Sequence, residues 1–466
     1  MSSKEKSGSS GRAGQRDLTV GSIPFTLISF ALPFFLSMLM QSLYGAVDLF
    51  VIGRYAGTSA VSAVSNGTQL MQIIGSVVMG TSTGVTVSLG RHIGERDNES
   101  CANTVGSGII VFAILAAVFT PVMVCLSRNI ISLVKAPPEA FDEAVLYLRI
   151  CSCGLPFIAA YNLCGGIFRG IGNSKQPMYF MILSCCVNIV GDILLVGVFK
   201  LGAGGAAAAT VFAQIVSSAW QITYFIRHKL PFAFSRVYLK LKRRFLTEII
   251  RVGVPIAFQD VLIGVAFTAI TVIANKRGLI ASSSVGVVEK TIMFMFLVPS
   301  AMTSAISAIT AQNIGAGKKD RAKKTLRYGM GITLTFGIIV CVISQIIPVK
   351  IASIFTSDQD VIISGSQYLR SYVLDCVLVA VTFCMNGYFT GSDRASFVFL
   401  HDTISIFLVR IPVAYLMSLL YPDSLYPMGF SSPAGSLSSI IIISIYMLIR
   451  RKKEKEAKTL THHDSI

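Results

Sequence analysis

About twelve stretches of this chain stay apolar for ~20 residues or more, and that pattern leaves few folds open to it. Each is long enough to cross the hydrocarbon core of a bilayer as a helix. The spans are expected at 24–52, 60–90, 101–126, 140–168, 176–199, 203–226, 247–275, 281–311, 325–347, 362–390, 395–420 and 433–449. The shorter, alternating runs of a membrane β-barrel are absent. Only 14% of the residues are charged, against ~25% in a soluble domain. An all-α, polytopic membrane protein follows. Several runs are longer than a bilayer requires, so tilt or kinks must absorb the excess. Pro33, Pro156, Pro255, Pro299 and Pro412 are the expected kink points.

The net charge of +17 sets orientation; it does not argue for nucleic acid. Lys and Arg concentrate in alternate loops, in the N-terminal segment, in the linker 227–246 and in the tail. The outside loops keep only Arg54, Arg128, Lys135, Lys200, Lys276, Arg277 and Lys350. By the positive-inside rule both termini are expected in the cytoplasm, and the membrane is expected to be the plasma (inner) membrane. No cleavable signal precedes the first span, so it is expected to be kept. The ten cysteines lie mostly inside apolar runs without a zinc spacing and read as small packing residues.

An internal repeat divides the chain. RHIGERD around Gly94 matches QNIGAGKKD around Gly315 at an offset of 221, and LYLR at 146–149 matches QYLR at 367–370 at the same offset. GIFRG at 166–170 matches GYFTG at 387–391, and ALP ending at Pro33 matches GVP ending at Pro255, the last at 222. The expected division is a disordered cytoplasmic N-terminus (1–17), a six-helix half (18–226), a basic linker (227–246), a second six-helix half (247–450) and a cytoplasmic tail (451–466). Parallel halves of this kind imply a pseudo-twofold axis along the membrane normal. They place substrate near midplane in a central cavity and alternate access by rocking.

Within the first span stands one carboxylate, Asp48. Burying a charge there costs roughly 2.5–3.5 kcal/mol on insertion scales, and nothing near it on the same helix neutralises it. It is expected to bind protons, a metal cation or an organic cation. The bland alternative is a carboxylate satisfied by hydroxyls and backbone.

Here the residues resemble a known family, the multidrug and toxic compound extrusion (MATE) transporters. The resemblance runs from about Thr19 to Arg451. It rests on the spacing Pro33–Asp48–Gly57, FRGIGNSKQP at 168–177, LGAGGAAAAT before the sixth span, QNIGAGKKDRA at 312–322 and the PDSLYPMGF loop. It implies cation-driven efflux of small amphipathic, often cationic compounds.

Asn188 and Asp192 stand four apart on the fifth span and share a face. Tyr147 and Asn162 lie on the fourth span and Thr210 on the sixth. Two close carboxylates cannot both ionise cheaply, so with an amide, a phenol and a hydroxyl they suit one proton or one small cation. The family's N-half cation site is similar, and its roles carry onto Asp48, Tyr147, Asn162, Asn188, Asp192 and Thr210, with Na⁺ at Asp48/Asp192 as one option. Interhelical hydrogen bonding is the plainer alternative for Asn162 and Thr210. In the second half the candidates are Asp260, Glu289, Lys290 and Asp375. Some family branches bind Na⁺ there through a seventh-span Glu and a tenth-span Asp. Asp375 fits the second, while Asp260 sits about a turn from the expected Glu. Lys290 is either a tethered cation in the cavity or paired with Asp375 or Asp260.

No phosphate-binding G-x-x-x-x-G-K-[ST] loop is present, so ATP is not the energy source. No HExxH or G-x-S-x-G occurs, and histidine is scarce at depth, so the chain is not expected to be an enzyme. No cofactor is expected beyond a coupling ion, H⁺ or Na⁺. The expected partners are amphipathic small molecules and membrane lipids, around a monomer. The alternatives are a dedicated metabolite exporter or a lipid-linked oligosaccharide flippase, although a flippase favours a basic cavity and the first half is acidic.

Overall fold

The computed structural model describes residues 16–228 and 230–463; the expectation of a disordered N-terminus falls mostly on residues outside these. No β-strand occurs among the described residues. The long helices of the first half are α1 (Ile23–Tyr55), α2 (Gly57–Glu95), α3 (Asn98–Leu133), α4 (Pro138–Cys153), α5 (Leu155–Gly170), α6 (Lys175–Asp192) and α7 (Gly202–Arg227). The second half has α8 (Arg243–Asn275), α9 (Leu279–Met295), α10 (Leu297–Gly315), α11 (Lys319–Ile346), α12 (Pro348–Ala352), α13 (Gln359–Tyr372), α14 (Asp375–Gly391), α15 (Ala395–Ile404), α16 (Ile411–Leu420), α17 (Tyr426–Gly429) and α18 (Ser431–His463).

Every expected span is a helix or a pair of helices. Among the described residues nine helical segments are long and apolar enough to cross a membrane, and eleven if two bent pairs each count once. Those pairs are α4–α5, meeting at 49°, and α13–α14, meeting at 48°. The expected sixth span, α7, is a helix below that threshold, its apolar run interrupted by Gln214, Ser217, Ser218 and Gln221.

The prolines act in two ways. Pro33 and Pro255 lie inside α1 and α8, and so does Pro121 inside α3. Pro156 and Pro299 instead sit in the first turn after a break, and Pro412 in the first turn of α16. A missing N–H costs nothing at the break before Pro156; Pro412 instead stands where the π segment runs straight on into α16. The 48° bend between α13 and α14 contains no proline. A π-helical segment, Ile193–Val198, follows α6 directly, and a second, Ser405–Arg410, joins α15 to α16. Such segments shift the side-chain register inside an otherwise regular helix, and they recur at functional sites.

The chain forms two compact units. The first takes the residues up to Phe258 together with Ser304–Leu326 and Gly387–Ala395; the second takes Gln259–Thr303, Arg327–Asn386 and the residues from Ser396. In the first unit, Ile52, Val64, Leu148, Phe168 and Phe180 form the core. Gly57, with φ +86°, makes the turn between α1 and α2 that a side chain would strain. α6 and α7 pack so closely that a Cβ on Gly191 would lie 2.9 Å from the Ala209 methyl. Small residues give this approach in apolar bundles, where dispersion rather than water exclusion holds helices together.

The repeat-equivalent glycines of the first unit face each other reciprocally. A Cβ on Gly94 would collide with the backbone at Gln312 and Ala316, and a Cβ on Gly315 with the backbone at Arg91. His92, 1% exposed, ties α2 to α8, with Nδ1 2.8 Å from Glu95 and Nε2 3.0 Å from Glu248. The core of the second unit is built from Ile270, Val285, Tyr368, Tyr372 and Met428.

Candidate functional site

In the first unit, α1 and α6 bring two carboxyls face to face. Asp48 is 6% exposed, and Asn188 and Asp192 are 0% exposed. The Asp48 and Asp192 carboxyls are close enough to share a proton, and the Asn188 amide lies beside Asp192. Asp48 Oδ1, both Asp192 oxygens and both polar atoms of the Asn188 side chain are buried without a hydrogen-bond partner among the described residues. Buried polar groups are almost always bonded, so these five atoms at one place make a site with unfilled capacity. What can fill it is a proton between the acids, water, or a cation.

Aromatic side chains wall the pair. Tyr44, one turn before Asp48 on α1, donates its hydroxyl to Thr210 Oγ1 at 2.8 Å, and both acids act on it. The Tyr147 and Thr68 hydroxyls are 3.1 Å apart, and Tyr147 feels the charge of Asp48. Tyr147 has room only because residue 67 is glycine, whose Cβ would overlap the ring. Asn162 is used differently. Its amide donates to the Ile158 carbonyl of its own helix at 2.8 Å, and its backbone carbonyl accepts from Ser82 Oγ at 2.6 Å. The structure therefore gathers Asp48, Asn188, Asp192, Tyr147 and Thr210, and keeps the Asn162 side chain within α5.

The second unit holds another polar cluster. Asp375, 2% exposed, accepts from Ser432 Oγ at 2.6 Å. Glu289 is half-buried, and Arg410 is close enough for both acids to act on it. Asp260 and Lys290 are exposed. Among the described residues no group of three or more His, Cys, Asp or Glu is placed to hold a metal ion. A cation at Asp48 and Asp192 would thus depend on two carboxylates aided by amide and hydroxyl oxygens.

Tyr44 and Arg410 were not singled out from the sequence, although both left a signal. Tyr44 is at i−4 from Asp48, the spacing that puts two side chains on one face. Arg410 is a charge inside an apolar run, the same anomaly that marks Asp48.

Comparison with known proteins follows the same division into halves. A family model described as MatE matches residues 33–194 and again 255–416, in step with the internal repeat. The chain belongs to the MatE family. Its curated relatives include the probable multidrug resistance protein YoeA of Bacillus subtilis, 26% identical over 91% of this chain and 94% of the relative. The multidrug export protein MepA of Staphylococcus aureus is 23% identical over 85% of this chain and 87% of the relative. Among solved structures, MATE in complex with MaL6 has a TM-score of 0.89 at 20% identity, covering 94% of this chain and 99% of that one. An outward-facing MATE transporter of the MOP superfamily has a TM-score of 0.88 over 94% and 98% of the two chains. This MatE protein is a multi-pass membrane transporter and not an enzyme.

Proposed function

We propose that this protein is a secondary active multidrug exporter. It expels small amphipathic, often cationic compounds in exchange for protons or Na⁺. The observation that carries the reading is the buried Asp48–Asp192 pair, facing each other with oxygens that no described residue satisfies. A negative site in an apolar bundle attracts either the coupling cation or a cationic substrate, and the two compete. Competition at one site is linkage, so entry of the cation from outside favours release of the drug. The names of YoeA and MepA, a probable multidrug resistance protein and a multidrug export protein, support the substrate class. The charge bias supports an orientation with both termini in the cytoplasm. The six-helix halves 18–226 and 247–450, a plasma-membrane location and a monomer complete the proposal.

The test is ethidium efflux from vesicles under an imposed proton or Na⁺ gradient, comparing wild type with Asp48→Asn and Asp192→Asn. Efflux driven by one gradient and lost in both variants is the expected result, and it names the ion. Both variants pumping at the wild-type rate would remove the pair from the mechanism.

A further inference from the structure

A cation of the chain itself, Arg410, stands within electrostatic reach of two of the second unit's acids. Arg410 ends the π segment Ser405–Arg410. Its guanidinium lies 4.9 Å from the Phe267 ring centroid and 6.0 Å from that of Tyr372, and its Nη2 donates to the Tyr372 hydroxyl at 2.8 Å. Asp375 and Glu289 both act on it electrostatically, yet neither makes a direct ion pair with it among the described residues. Arg410 Nε, Glu289 Oε1, Asp375 Oδ1 and the Tyr368 hydroxyl are all buried without a partner. Asp375 is 2% exposed and Tyr368 is fully buried.

Buried carboxylates in an apolar bundle need a positive charge nearby. A guanidinium supplies it permanently: it does not deprotonate in proteins, it is weakly hydrated and it stacks on aromatic faces. The two aromatic rings and the Tyr372 hydroxyl hold it in place. The unpartnered atoms are of both kinds, with Arg410 Nε and the Tyr368 hydroxyl able to donate and the two carboxylate oxygens able to accept. That set suits water bridging the arginine to the acids, because a bare metal ion is served only by acceptors.

We infer that Arg410 is a tethered cation that takes the place of a free cation beside Glu289 and beside Asp375, so that the second unit takes up no free Na⁺. This makes Arg410 a determinant of ion specificity, acting by occupancy. It deepens the transporter reading, but it does not depend on Asp48 and Asp192 being the coupling site.

The experiment measures ²²Na⁺ binding and Na⁺-dependent thermal stabilisation of purified full-length protein, with K⁺ as the ionic-strength control. All variants carry Asp48→Asn and Asp192→Asn, which removes the first unit's acids from the readout. The parent and Arg410→Lys, which keeps a tethered charge, are expected to show no saturable Na⁺ response. Arg410→Gln is expected to gain one, and adding Asp375→Asn to it should abolish the gain. A folded Arg410→Gln protein with no Na⁺ response overturns the inference. So does a parent that already binds Na⁺ and loses it on Asp375→Asn, a comparison that stands even if Arg410→Gln does not fold. Because the readout is binding, failure of drug efflux leaves this result intact.

Discussion

Replacing Gly94 or Gly315 by alanine tests whether the sequence repeat is a physical contact. A methyl on Gly94 would overlap the Gln312 carbonyl oxygen and lie 2.9 Å from the Ala316 nitrogen; one on Gly315 would overlap the Arg91 carbonyl oxygen and lie 2.8 Å from its carbon. Ordinary contact begins near 3.4 Å, and each methyl meets main chain, which has no rotamer to change. The ends of α2 and α10 must therefore part by about 1 Å in a tightly packed region. Overpacking of this kind costs ~1–3 kcal/mol. The contact is reciprocal, so helices already parted for one methyl accept the second more cheaply. The double variant should therefore lose less than the sum, with a coupling of about 0.5–3 kcal/mol. The assay is thermal unfolding of purified protein in detergent, followed by dye efflux in vesicles. Gly45→Ala, with nothing within 4 Å of the added methyl, is the control for substitution as such. Melting of Gly94→Ala and Gly315→Ala within error of that control would refute the reasoning, as would strict additivity in the double variant.

Two further outcomes follow from local geometry. Gly67→Ala pushes a methyl into the Tyr147 ring, which moves the phenol off Thr68; it should lower drug affinity and cost ~1–3 kcal/mol, and unchanged substrate binding by equilibrium titration counts against Tyr147 as a wall of the site. Asp97 caps α3 by accepting the Ser100 backbone N–H at 3.0 Å and the Ser100 hydroxyl at 2.7 Å, bonds that lower its pKa. Its contribution is present above the ordinary carboxylate range and is lost as pH falls through the lowered folded value. Asp97→Ala should cost ~0.5–2 kcal/mol at neutral pH, and the gap to wild type should close in strong acid; a gap that does not depend on pH disproves the charge-assisted cap.

The repeat was legible in sequence because its motif residues are backbone requirements. Gly94 and Gly315 permit a close approach and Gly57 a left-handed turn, and no other side chain meets those needs, so the same letters stand at the same offset. The spans were legible because a bilayer demands ~20 apolar residues each time. Asp48 and Asp192 were legible because a charge in such a run is costly enough to require a purpose.

Other features depend on which residues meet in space. The breaks at α4–α5 and α13–α14 follow the matched Tyr-Leu-Arg at 147–149 and 368–370, but nothing in that match announces a bend, and only one break has a proline beside it. Asn162 has the right residue type and span for the site, but one rotamer turns its amide back along α5. Tyr44 reaches Thr210 across 166 residues of chain, a pairing no local pattern announces. The same holds for Arg410: sequence places a charge in an apolar run, and only the packing of the helices around it decides that Asp375 and Glu289 lie within its electrostatic reach. By itself the sequence determined the helical bilayer fold, the doubling and the presence of buried charge, since each is enforced residue by residue through solvation. The tertiary structure decided the partners of those charges, because partnership is set by long-range packing.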